Sequence, residues 1–265
     1  MKSTTKILIG ILISGIVVVL IGSVLLYTRD TPKEDLTFDG RLAQVNVAPF
    51  HVVNVFVNSG GQLPKNNIIL EGDLSIVPVS GIQNTLSYPE DLERYLSVVT
   101  KNDTLNLIFN ISSSTLPDKF GNKEWIFMKV SEMKLTADSS LVAVSSGVRG
   151  LKLQLLNMKA DSVALSADAY FMRVDSCDLR SFSVNNVAEL QLMHSRISNV
   201  YLDLDSVHGW SVTDCQIENE YLTGSGSHHN ELQKGECRQM YWTPKSKDAQ
   251  LRVTFNEEAS VSLLK

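Results

Sequence analysis

The chain is poor in cysteine, has few glycines where bends are needed, and has no cluster of like charge. Three cysteines stand among 265 residues: Cys177, Cys215 and Cys237. No C-x-x-C motif or matched histidine pair accompanies them, so neither a metal site nor a cofactor site is expected. Lysine and arginine are scattered, and the formal net charge is −5. No basic run could neutralise a series of phosphates, so a nucleic-acid partner is not expected. Charges of both signs interleave, as on a solvated surface.

Four stretches of the second half align without a gap: Leu153–Leu165, Met172–Val184, Leu190–Leu202 and Trp210–Leu222. Their starts lie 19, 18 and 20 residues apart. Self-similarity at this period marks stacked repeats. The first column holds Leu153, Met172, Leu190 and Trp210, and the third holds Leu155, Val174, Leu192 and Val212. Apolar residues two apart give strands, because side chains alternate faces. Helical spacing is missing. The sixth column is small or soft (Met158, Cys177, Ser195, Cys215) and reads as an inward corner. With glycine sparse in the repeats, the bends fall to Asp, Asn and Ser.

These units predict an all-β fold whose second half is a right-handed parallel β-helix, a solenoid in which each strand pairs with its copy about 4.8 Å away. Its core ladder would comprise Leu155, Val174, Leu192 and Val212, with Cys177 and Cys215 as buried free thiols. Two repeats apart, those thiols would be roughly 9–10 Å from each other, beyond the reach of a disulfide. An earlier repeat is expected to start at Met133-Lys-Leu135, and the Gln250–Leu264 tail to supply a last strand or cap.

Ile7–Tyr27 holds no charged residue over 21 positions. That length spans a bilayer core as a helix. Lys2 and Lys6 before it would hold the N-terminus in the cytoplasm. The expected organisation is a cytoplasmic N-terminus (1–6), a transmembrane helix (7–27), a juxtamembrane linker (28–37), an N-terminal β-rich part (38–130), and repeats with a cap (131–265). The external domain would be periplasmic or extracellular. A cleaved signal peptide is the competing reading of residues 7–27. In residues 38–130, strands are expected at Ala43–Val47, Val52–Val57, Ile68–Leu70, Leu74–Val77, Leu105–Ile111 and Trp125–Val130. A helix is expected at about Pro89–Ser97, with Ser87 and Glu90 as a capping box.

Phe38-Asp-Gly-Arg-Leu-Ala-Gln-Val-Asn-Val-Ala-Pro-Phe50, then Glu90-Asp-Leu-Glu-Arg-Tyr-Leu96 and Asn102-Asp-Thr-Leu-Asn-Leu107, resemble the auto-transporter adhesin head (GIN) domains of Bacteroidota-type bacteria. The resemblance covers residues 38 to about 225 and implies a β-helix with an envelope adhesion role. It brings no catalytic residues. The glycine-rich repeat ends usual in that family are nearly absent, with Thr223-Gly-Ser-Gly226 alone similar to them.

Outward residues offer three chemistries. Asp161, Asp175, Asp178, Arg180, Arg196, Asp203, Asp205 and Asp214 could line a polysaccharide-cleaving face, where an acid and a base must flank one bond; turn chemistry and solvation explain them equally. His194, His208 and the His228-His229 pair could bind metal, and fit solvated loops as well. Tyr201 and Tyr221 share an outward column and could form either a structural ladder or a binding stripe. The expected role is a membrane-anchored, non-catalytic binding, adhesion or scaffolding module for envelope polysaccharide or another envelope protein. A polysaccharide lyase or hydrolase and a self-associating structural protein are the alternatives.

Overall fold

The computed structural model describes residues 35–61, 67–81, 83–112, 114–120, 123, 125–232 and 237–255, with residues 15, 17 and 19 ahead of them. Two units are present, Met1–Asp35 and Leu36–Lys265. In the first, Gly15, Val17 and Val19 are helical. No helix among the described residues is long and apolar enough to cross a membrane. A bilayer span needs about 20 consecutive helical residues. The expected single-pass, N-in arrangement is therefore corrected. The rest of the 7–27 segment lies outside the described residues.

The second unit is all-β. Its strands are β1 (Leu36–Phe38), β2 (Leu42–Val47), β3 (Val52–Asn58), β4 (Ile68–Pro78), β5 (Asn84–Pro89), β6 (Leu96–Lys101), β7 (Thr104–Asn110), β8 (Ile126–Val130), β9 (Met133–Ala137) and β10 (Ala143–Ser146). They continue with β11 (Leu151–Leu156), β12 (Lys159–Asp175), β13 (Asp178–Met193), β14 (Arg196–Asp203), β15 (Val207–Thr213), β16 (Gln216–Gly224), β17 (Ser227–Leu232), β18 (Cys237–Pro244) and β19 (Gln250–Phe255). Among the described residues seventeen strands form one sheet, and β17 pairs with β19 in a second.

Two parallel ladders organise the second half. In one, β11, the end of β12, the end of β13 and β15 lie side by side. Leu155 is the partner of Val174, Val174 of Leu192, and Leu192 of Val212. In the other, the starts of β12 and β13 are followed by β14, β16 and β18. Leu165 meets Val184, then Leu202, Leu222 and Trp242. Leu155, Val174 and Leu192 are buried, and Val212 is half-buried. The alternation of apolar and polar residues thus turns one row of each strand into a shared core.

The bends between the ladders use a left-handed residue followed by an inward corner. Asn157, Ser176, His194 and Asp214 have φ of 57°, 57°, 46° and 52°. Each precedes a buried corner residue: Met158, Cys177, Ser195 or Cys215. Asparagine and aspartate enter this region at the lowest cost after glycine. The corners are stitched to one another. The Cys177 amide donates to Ser195 Oγ at 3.0 Å, and the Ser195 hydroxyl donates to the Met193 carbonyl at 2.6 Å.

The first half departs from simple chain order. Met133 is not the neighbour of Leu153, because β4 lies between them: Leu74 pairs with Met133 on one side and with Leu153 on the other. Likewise β3 lies between β7 and β10. Gly72 permits the bend at which β4 passes from β8 to β9 and β11, since a Cβ there would meet the Val130 carbonyl oxygen at 2.7 Å. The helix expected at Pro89–Ser97 is a single 3-10 turn, Glu90–Leu92, and β6 begins at Leu96. One turn suffices to bury Leu92 and Tyr95. Leu96 then pairs antiparallel with Phe109.

Candidate functional site

The outer face of β14, β16 and β18 carries two regular files. Strand alternation turns Leu202 and Leu222 inward and Tyr201 and Tyr221 outward. Tyr201, Tyr221 and Tyr241 are successive Cα partners. Their rings stack at centroid distances of 4.7 and 4.8 Å and interplanar angles of 9° and 8°. Two residues upstream, Asn199, Asn219 and Gln239 form a parallel file of amides. Asn219 Nδ2 donates to Asn199 Oδ1 at 3.0 Å, and the Tyr241 hydroxyl donates to Gln239 Oε1 at 2.5 Å. Tyr241 was missed by the sequence alignment, which ended at Leu222. Counting twenty residues on from Tyr221 would have found it.

This arrangement limits what the tyrosines can do. Both faces of the Tyr221 ring are covered by its neighbours, so it cannot stack on a sugar. The file offers ring edges, hydroxyls and carboxamides at the inter-strand step. Desolvation, and then the neighbouring Tyr201 and Tyr241, raise the Tyr221 hydroxyl above its ordinary pKa. It therefore stays protonated, able to donate and accept, throughout the neutral range.

A second feature lies on the other ladder. After β15 the pairing stops: β17 bonds to β19, and among the described residues no ladder joins β15 to β17. On the neighbouring face, β14, β16 and β18 continue unbroken. A cavity of about 530 Å³ opens between β15 and β17, its lining including the apolar Leu204, Val207, Trp210 and Val212 and the polar His208, His228, His229 and Glu231. Its rim is held by a clamp across three strand connections. Asp205 accepts from the Ser225 amide at 2.8 Å, faces His228 Nε2 at 3.1 Å, and accepts from Lys245 Nζ at 3.2 Å. The Ser225 amide bond, chiefly, holds the Asp205 carboxyl well below the usual carboxylate range.

The other acidic and basic candidates separate. Asp161, Asp178, Arg180 and Lys159 line one open depression of about 410 Å³. Asp203 and Asp205 belong to the Lys245 clamp. Asp175 and Asp214 flank His194, at 3.0 and 3.7 Å from its two ring nitrogens. Arg196 donates to Gln216 Oε1 at 3.3 Å. Among the described residues, no group of three or more His, Cys, Asp or Glu is placed to hold a metal ion. Cys177 and Cys215 are buried, and burial pushes the Cys177 thiol up to about 11. Cys237, half-buried, is pushed up to about 12 for the same reason.

No family model matches the chain, and no curated protein matches its sequence. Solved structures are similar to it at low identity, three of them as follows. One is a candidate adhesin from Bacteroides fragilis, at 12% identity and TM-score 0.47, covering 83% of this chain and 97% of that one. Another is a candidate lipid-binding protein from Parabacteroides distasonis, at 10% identity and TM-score 0.41, covering 84% and 99%. The third is a candidate adhesin from the same species, at 10% identity and TM-score 0.33, covering 83% and 100%.

Proposed function

We infer that the chain is a non-catalytic binding module of the GIN adhesin-head type, with residues 131–265 wound as a right-handed parallel β-helix. Leu155, Val174, Leu192 and Val212, with the thiols Cys177 and Cys215, form its interior file. Parallel pairing at steps of 18 to 20 residues supports that winding. The observation that carries the function is the outward file of Tyr201, Tyr221 and Tyr241 beside Asn199, Asn219 and Gln239. A rigid frame repeats one donor–acceptor set every strand. Such a face suits a hydroxyl-rich polymer whose own groups recur at about 4.8 Å, an envelope polysaccharide above all. Capture of polysaccharide fractions by the full chain tests this. Retention without cleavage is expected, and it should fall by about tenfold or more in the Tyr201→Ala/Tyr241→Ala double variant. No retention, or retention indifferent to those changes, refutes it.

One observation favours a second reading. Asp161, Asp178 and Arg180 share a depression, and two carboxylates, one serving as acid and the other as base, are the equipment of a polysaccharide-acting enzyme, with the Arg180 guanidinium beside them as a cation. Release of new sugar ends by the wild-type chain, abolished in Asp161→Asn and Asp178→Asn, would establish that reading in place of the first.

A further inference from the structure

We propose that the cleft between β15 and β17 is a strand-addition site, taking one extended segment of a protein partner that is uncharged at its centre and apolar at alternate positions. The first support is the backbone. The His194 amide donates to the Thr213 carbonyl at 2.9 Å, which turns Thr213 toward β13. Alternation then turns the amide and carbonyl groups of Val212 and Trp210 toward the cleft. An unpaired strand edge is a template for another strand. Among the described residues two such edges, of β15 and β17, border one cavity.

The chain itself shows what fits against β15. On its paired side β13 places Leu190 beside Trp210 and Leu192 beside Val212. Leu190 and Leu192 are fully buried, whereas Trp210 and Val212, next to the cleft, are half-buried. A strand with apolar residues at the same alternate positions would complete their burial, the main favourable term in such binding. The lining carries one carboxylate, Glu231, against three imidazoles. It complements a neutral segment better than a charged one, since a charge taken into it would lose its water without a matched partner. The cleft is also preformed. The β14–β16 pairing joins the strands that lead into the two walls, and Asp205, Ser225 and Lys245 hold the rim, so little ordering cost falls on binding.

The test uses the full chain and a labelled synthetic peptide copying Val187–Met193, the strand that β15 already accepts, with glutamine in place of Glu189 so that its centre is uncharged. Saturable binding by fluorescence anisotropy is expected, with slowed hydrogen exchange at the Trp210 and Val212 amides. A peptide with proline in place of its central leucine, which lacks one backbone donor, should bind at least tenfold more weakly. Val212→Pro removes the amide facing the cleft, at a position where an edge strand tolerates proline, and exchanges one apolar side chain for another. It should keep the far-ultraviolet spectrum and polysaccharide retention of the wild type while losing the peptide. If that variant does not fold, the exchange measurement on the wild type still decides. Absence of saturable binding, or exchange at Trp210 and Val212 unchanged by peptide, overturns the proposal. Saturable uptake of lauric acid without peptide binding also overturns it, in favour of an acyl ligand.

Discussion

At the scale of single residues, position within the alternation decides cost. Leu192 is fully buried between Val174 and Val212. Leu192→Ala should lower unfolding free energy by about 2–5 kcal/mol, the usual cost of an unfilled cavity. Leu192→Asp should leave no cooperative transition in denaturant melts, because it buries an unpaired charge. The thiols offer a second check. With burial raising Cys177 to about 11 and Cys237 to about 12, both stay protonated at pH 8, and the thiolate is the reactive form. Ellman's reagent should therefore react slowly with the native chain and titrate all three cysteines in denaturant.

At the scale of the element, the bends and the outward file determine how strands are joined and held. His194 sits at φ 46° between Asp175 and Asp214. His194→Asn should be close to neutral in thermal melts. His194→Val, with a branched Cβ in the left-handed region, should cost about 1–2 kcal/mol. Tyr221 stacks on both neighbours. Tyr221→Ala should cost about 1–3 kcal/mol from two lost ring pairs, measured by denaturant melts. These elements also show where sequence reading stopped. The repeat columns held Tyr201 and Tyr221 because apolar residues flank them at fixed spacing. Tyr241 lay beyond a segment in which Cys237 and Trp242 replace the aliphatic markers. The 3-10 turn at Glu90–Leu92 has the capping signals of a helix, but the pairing of Leu96 with Phe109 ends it.

At the scale of the whole molecule, acid sensitivity follows from the clamp at Asp205. Its folded-state pKa lies below the unfolded value, so its contribution is present above the ordinary carboxylate range. It is lost as pH falls from there toward the folded value. Thermal stability of the wild type should decline over that acid window. Asp205→Asn should flatten the decline while lowering stability at neutral pH.

What the residues determined alone was the period, the inward and outward rows, and the turn chemistry. These are local consequences of alternation and of backbone preference, and they need no knowledge of which strand lies where. What the tertiary structure decided was non-local. It placed β3 and β4 between later strands, parted β15 from β17, gathered Asp203, Asp205, His228 and Lys245 at one rim, and extended the tyrosine file to a third ring. Strand partners are chosen by long-range packing of apolar rows that many registers could satisfy in isolation. Only closure of the whole core selects among them.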